Sequence, residues 1–237
     1  MTGLEAQPAL LLRYCHNGQL SLLTGWQALL FRQDDEWVGQ MHAPDTSPLH
    51  SVPRATGTIA RLVVERLSAA GQPLDPLLRQ VGLSLEDIDG LGLAVKASAQ
   101  VKLLQLASEL LNDDLLGFHL ARDFNLREAG LLYYVLSSSS SFADAIKSAQ
   151  RYTRIVHEGI EIRGRVDHAS IITLNYLNVD RRFDQHQIEF WLVAIVRMCR
   201  QLTDTRIAPL ELKVRHFRET TPAEFRAFLG CDMTFSR

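Results

Sequence analysis

From Thr58 onward, apolar residues recur at the spacing of an amphipathic helix. Ile59, Leu62, Val63 and Leu67 stand at relative positions i, +3, +4 and +8, so they share one face of a helix. The same kind of pattern continues along most of the chain and predicts a mainly helical protein. Further helices are predicted over residues 76–81, 84–90, 101–112, 115–122, 131–136, 143–156, 184–202 and 222–229.

Short polar side chains mark where two of these helices begin. Ser84 with Asp87, and Ser141 with Asp144, have the spacing of a capping box. In that motif the serine oxygen accepts a hydrogen bond from a backbone N–H that the first turn of the helix leaves without a partner. We therefore interpret the serine run at 137–141 as a helix break followed by a cap, rather than as a linker.

After Gly159 the apolar period changes from that of a helix to that of a strand. Residues 160–163 and 169–176 alternate between apolar and polar side chains, which predicts two paired strands joined by a turn at 165–168. Residues 210–214 predict a third strand, and Phe235 lies in a last short extended segment. The sequence therefore predicts an α+β fold, a predominantly helical domain packed on a small sheet of about three strands.

The N-terminal part of the chain is harder to interpret. Residues 10–12 and the apolar stretches that follow them can form strands or a short helix, and the proline-containing segment 44–53 interrupts any continuation. We interpret 42–56 as a linker. Residues 1–56 are predicted to be a poorly ordered or atypical extension, or an over-long start of the reading frame, and 57–237 to be the domain.

Composition excludes several classes of protein. A net charge of −2 is not that of a chain built mainly to hold nucleic acid. No apolar run approaches the roughly 20 residues of a membrane span, and the N-terminus lacks the pattern of an export signal. The cysteines Cys15, Cys199 and Cys231 have no metal-binding or disulfide spacing, so we expect a cytoplasmic protein without membrane contact.

A serine hydrolase is one candidate activity. The serines at 137–141 lie near Asp144 and His157 in the sequence, but no G-x-S-x-G motif is present to expose a nucleophile on a strained turn. Serines in loops and caps explain the same pattern. We therefore expect no enzymatic activity and no catalytic residues.

A metal site is a second candidate. Asp184, His186 and Glu189 can converge at the start of the predicted helix 184–202, with His157 or His168 as further ligands. The sequence has no H-x-x-x-H or C-x-x-C spacing, and acidic residues near a helix start are expected from the helix dipole alone. We expect no metal, and, since no phosphate-binding glycine loop follows a strand, no other cofactor.

A small-molecule pocket is the third candidate. Several side chains on the predicted helices combine a ring with a polar tip, and two neighbouring arginines can bind a carboxylate through paired hydrogen bonds. The same rings can instead belong to the hydrophobic core, so no individual ligand-binding residue is assigned. The ring-bearing residues are Tyr133, Tyr134, Tyr152, His157 and Trp191, and the arginines are Arg151 and Arg154.

Three pieces of the chain, in this order, carry a resemblance to a known family. They are 116–121 (LGFHLA), 130–138 (GLLYYVLSS) and 142–146 (FADAI) followed by the pair Arg151-Tyr152. They resemble the N-terminal effector-binding and dimerisation domain of AraC-type transcription regulators, of the subgroup named arabinose-binding domain. The resemblance extends in weaker form over 57–237.

The resemblance implies a domain that binds a small-molecule effector, forms a homodimer and so controls transcription. The effectors of such proteins include amino acids, sugars and fatty-acid-like molecules, and the resemblance does not choose among them. It also implies that DNA is bound only through a C-terminal helix-turn-helix domain, which we expect to be absent from these 237 residues because they contain no basic recognition helix. The alternatives are a stand-alone remnant that acts by association with other proteins, or a small hydrolase.

The apolar stripe on 184–202 can serve the core or the dimer contact.

Overall fold

The computed structural model describes residues 9–13, 52–89, 94–166, 170–176, 184–214 and 218–235. Within these residues most of the chain is helical, and a sheet of five strands packs against the helices. The predicted α+β class with a helical majority is confirmed.

The first four helices form one group around α4. Both α1 and α2 pack against α4, and the predicted stripe on α1 is confirmed, since Ile59, Val63 and Leu67 are buried and Leu62 is half-buried. These helices are α1 (Thr58–Ala69), α2 (Leu74–Val81), α3 (Leu85–Asp89) and α4 (Ala97–Leu111).

The remaining helices pack on one another and on the sheet. The helix α5 lies along α8, α6 packs on α7, and α7 covers one face of the sheet. No helix in the described ranges is long and apolar enough to cross a membrane. These helices are α5 (Leu116–Asp123), α6 (Leu131–Ser137), α7 (Phe142–Val156), α8 (Gln185–Thr203) and α9 (Ala223–Leu229), with a short 3-10 helix (Leu126–Ala129) before α6.

The main sheet contains all three predicted strands and two more. Its order is β4-β5-β1-β6-β7, antiparallel throughout except for the parallel pair β6 and β7. A strand of two residues is too short to show an alternating pattern of apolar and polar side chains. The sequence therefore predicted β7 only as a short extended segment. Of the turn predicted at 165–168, residues 165 and 166 belong to β4, and residues 167 and 168 lie outside the described residues. The strands are β1 (Ala9–Arg13), β4 (Ile160–Val166), β5 (Ser170–Tyr176), β6 (Ala208–Val214) and β7 (Thr234–Phe235).

Two pieces of the predicted N-terminal extension pair with strands of the domain. The strand β1 lies between β5 and β6, and β2 (Arg54–Ala55) pairs with β3 (Val95–Lys96) in a second, two-stranded sheet. Residues 1–8 and 14–51 lie outside the described residues. The division of the chain at residues 56 and 57 therefore stays a prediction.

Both predicted capping boxes are present. The Asp87 backbone N–H donates to Ser84 Oγ over 3.2 Å, and the Asp144 backbone N–H donates to Ser141 Oγ over 3.1 Å. Each serine hydroxyl in return donates to the aspartate carboxylate. The hydrogen bonds from these serines lower the pKa of both aspartates.

A glycine allows α5 and α8 to touch at the level of their backbones. Gly117 on α5 faces the backbone of His186 on α8, and a Cβ atom added at Gly117 would overlap the His186 carbonyl group. Because backbone atoms cannot turn aside as a flexible side chain can, any larger residue at position 117 must push the two helices apart.

We therefore expect Gly117→Ala to lower the free energy of unfolding by about 3 kcal/mol or more, the upper end of the range for overpacked cores. The measurement is urea unfolding followed by circular dichroism. Gly71→Ala is the matched control, because Gly71 has open space around it and needs glycine only for its left-handed backbone, which costs about 1–2 kcal/mol. A loss at Gly117 no larger than that at Gly71 would contradict the close contact.

Candidate functional site

A cavity lies between the helices and the sheet. Its walls come from α1, α6, α7, α8, the 3-10 helix and the strands β4 and β5, with Ile146, Ile162, Ile195 and Met198 among the lining residues. Its volume is about 90 Å³, several times the roughly 10–15 Å³ that one water molecule needs on the same measure. The cavity can therefore hold a small organic molecule.

The described residues present apolar atoms to this cavity, and none of those that line it is an acid, a lysine or an arginine. Cys199 lines it as well, and burial raises the pKa of its thiol to about 12. That thiol therefore stays protonated at neutral pH and adds no charge. The cavity offers a ligand hydrophobic contact and dispersion rather than ionic attraction.

Behind the apolar wall, three buried polar side chains form a chain of hydrogen bonds. Gln100 Nε2 on α4 donates to Gln187 Oε1 on α8 over 3.0 Å. Gln187 Nε2 in turn lies 3.1 Å from His157 Nε2, at the end of α7. Because an amide nitrogen only donates, His157 Nε2 accepts this bond, and the neutral ring carries its proton on Nδ1.

Three atoms around this chain have no hydrogen-bond partner among the described residues: Gln100 Oε1, His157 Nδ1 and Trp191 Nε1. All three residues line the cavity, yet each of these atoms exposes almost no surface. The rings of His157 and Trp191 meet edge to face, with centroids 6.3 Å apart. A buried polar atom without a hydrogen-bond partner costs about 1–3 kcal/mol. These three atoms therefore lower the stability of the folded domain.

Of the residues predicted to surround a pocket, His157 and Trp191 line the cavity and the others do not. Tyr133 is buried elsewhere and its hydroxyl accepts a hydrogen bond from Gln201, while Tyr134 is 60% exposed. Tyr152, Arg151 and Arg154 lie together on α7. Both arginines are exposed, and Arg151 stacks over the half-buried ring of Tyr152.

The residues considered for a hydrolase are not brought together. Ser138 and Ser139 donate to the carbonyl of Val135, and the serines at 140 and 141 donate to Asp144. His157 follows the far end of α7, a helix of 15 residues that spans about 22 Å at 1.5 Å per residue. The serine run therefore terminates α6 and caps α7.

One of the residues considered for a metal site is paired with an arginine. Asp184, His186 and Glu189 are buried, and the Glu189 carboxylate accepts two hydrogen bonds from Arg218, at 2.7 and 3.1 Å. Burial lowers the pKa of Arg218, but the hydrogen bonds and charges of Glu189 and Asp114 outweigh it and raise that pKa. Within the described ranges no group of three potential ligands converges on a metal position, and His168 lies outside those ranges.

Sequence reasoning missed the two glutamines. A signal was present, because Gln100 precedes Leu103 and Leu104 by three and four residues, and Gln187 precedes Trp191 by four. Each glutamine therefore stands on the apolar stripe of its helix, where a polar residue indicates a buried hydrogen bond. Only the fold shows that the two side chains meet.

Burial of His157 makes stability depend on pH. Burial lowers the pKa of this ring from 6.5 to about 4, so between these values the unfolded chain binds a proton that the folded chain does not. The contribution of His157 to stability is therefore complete above pH 6.5 and is lost as the pH falls toward 4. Between pH 7 and pH 5 the loss amounts to about 2 kcal/mol.

We expect His157→Gln to remove this dependence, so that the native chain loses about 2 kcal/mol more than the variant between pH 7 and pH 5. Urea unfolding at a series of pH values measures it. The buried His186, whose pKa is also lowered by burial, titrates in both proteins and cancels in the comparison. Parallel curves for the two proteins would show that His157 does not resist protonation.

Comparison with known proteins addresses the identity of the domain. Residues 71–237, more than half of the chain, match the family model described as "Arabinose-binding domain of AraC transcription regulator, N-term". No curated protein matches the chain. The matched region includes α6, α7 and α8, the helices that supply most of the residues lining the cavity. The chain belongs to the family of N-terminal arabinose-binding domains of AraC transcription regulators.

Proposed function

We propose that this domain senses a small-molecule effector in the cavity and self-associates, and that it thereby controls transcription as part of an AraC-type regulator. DNA contact is assigned to a separate helix-turn-helix domain. The observation that carries the proposal is the cavity at the junction of α7, α8 and the sheet, in a chain of a transcription-regulator family.

The position of the cavity supports a sensing role. A ligand there touches α7, α8 and the strands β4 and β5 at once, so it contributes contacts that the empty domain lacks. A ligand stabilises the conformation to which it binds more tightly. Occupancy of the cavity therefore shifts these elements toward the conformation that binds the ligand.

The helix α6 links the cavity to an outer surface. Leu132 and Leu136 are buried and line the cavity, whereas Leu131 and Tyr134 of the same helix are 59% and 60% exposed. In the stripe predicted on α8, Ile188 is buried, and Trp191 and Cys199 are buried and line the cavity. We therefore assign self-association to the exposed face of α6 formed by Leu131 and Tyr134, which a symmetric second copy can cover.

A thermal-shift panel of sugars, amino acids and neutral apolar compounds tests the sensing role. A compound present at 100 times its Kd adds about 2.7 kcal/mol, which raises the Tm by about 5–10 °C for a domain of this size. We expect Ala194→Phe, which fills the cavity from α8, to remove the shift. Ala227→Phe on the exposed side of α9 should retain it.

A second variant, Met198→Trp, fills the cavity from another position on α8, and circular dichroism reports whether each variant is folded. Loss of the shift in a folded cavity variant supports the cavity as the ligand site. If no compound stabilises the chain, or if native and cavity-filled proteins respond equally, the sensing proposal is wrong.

Sedimentation equilibrium tests the association surface. We expect the native chain to dimerise and Leu131→Glu to raise the dissociation constant at least about tenfold, because it places a charge in an apolar contact. Leu110→Glu is the matched control, since Leu110 is an exposed leucine on α4, away from α6. A native chain that stays monomeric, or equal effects of the two substitutions, would refute the assignment to α6.

A further inference from the structure

The cavity wall excludes ligands that carry many polar groups. A sugar buried against apolar atoms loses its hydrogen bonds to water and gains none from the wall. Each unpaired hydroxyl then costs about 1–3 kcal/mol on the scale of protein mutations. The described residues that line this cavity present apolar atoms to it, so they cannot compensate a sugar for that loss.

The cavity wall also excludes a ligand with charged groups inside the cavity. A free amino acid needs partners for both its ammonium and its carboxylate groups. In the part of the chain that the structure describes, no residue that lines the cavity is an acid, a lysine or an arginine. The nearby Arg151 and Arg154 are exposed on α7 and do not line the cavity. The Cys199 thiol, which does line it, remains neutral.

The polar groups of the lining residues are already paired, covered by apolar atoms, or on residues that keep solvent exposure. Thr153 donates to the carbonyl of Ala149 over 2.7 Å. The free atoms of Gln100, His157 and Trp191 lie behind the apolar surface. The hydroxyls of Thr56 and Thr58, 3.2 Å apart, belong to lining residues that keep solvent exposure.

We infer that the ligand of this cavity is a predominantly hydrocarbon molecule, whose apolar body fills the space between α7, α8 and the sheet and whose polar group stays at the mouth beside Thr56 and Thr58. This inference rests on the proposed sensing function and names its ligand class. It separates the domain from recognition of a sugar, which requires a polar wall.

Fluorescence titration with the neutral dye N-phenyl-1-naphthylamine tests the inference on the whole chain. We expect saturable binding that Ala194→Phe and Met198→Trp abolish and that the control Ala227→Phe retains. In competition, 1-octanol should displace the dye at a concentration at least about tenfold lower than 1,8-octanediol, because the second hydroxyl of the diol must enter the apolar wall. L-arabinose and L-leucine should not displace it.

The possible results separate the ligand class from the sensing function. If arabinose or leucine binds by calorimetry, and Ala194→Phe abolishes that binding while octanol and the dye fail to bind, the hydrocarbon class is wrong and the sensor remains. Equal potency of octanol and octanediol also overturns the hydrocarbon class. If none of these probes binds the native chain and the thermal-shift panel is also negative, both proposals fail.

Discussion

Where α5 crosses α8, a glycine allows two backbones to come into contact, and the position of α8 depends on this contact. Gly117 faces the His186 backbone, one residue before Gln187 and within about one and a half turns of Trp191. The helix α8 contributes residues both to the cavity wall and to the buried hydrogen-bond chain. A small change in the spacing of α5 and α8 would therefore move polar and apolar parts of the site together.

The second constraint is the contrast between the cavity and the polar chain behind it. Gln100, Gln187 and His157 are buried and bind one another, while the surface toward the cavity is apolar. Burial keeps the His157 ring neutral down to acidic pH, since its pKa falls to about 4. Such an arrangement specifies how α4, α7 and α8 meet, because a hydrogen bond tolerates less displacement than hydrophobic contact does.

The helix α6 connects the cavity to the outer surface of the domain. One of its faces lines the cavity and the other is exposed. In the proposed sensor, a ligand that displaces the inner face of α6 would also displace the outer one. Seven residues form the helix, and Gly130 begins it with a backbone conformation, φ 63° and ψ −133°, that residues with a Cβ rarely adopt. The helix is thus short, begins abruptly at Gly130 and is held in place by packing on α7. These features suit a helix that moves as one rigid body.

Local rules were sufficient for much of this protein. The helical stripe of α1, the two capping boxes and the alternation of β4 and β5 depend on neighbours within a few residues, so the sequence alone determined them. The resemblance carried by segments such as the one around Gly117 likewise led to the family. The tertiary structure alone decided what depends on distant parts of the chain: the pairing of β1 between β5 and β6, the meeting of Gln100 with Gln187, and the separation of Tyr133 from the cavity that Trp191 lines. A helical period shows which face of a helix is buried, but the surface that covers this face is set by how all the elements pack together.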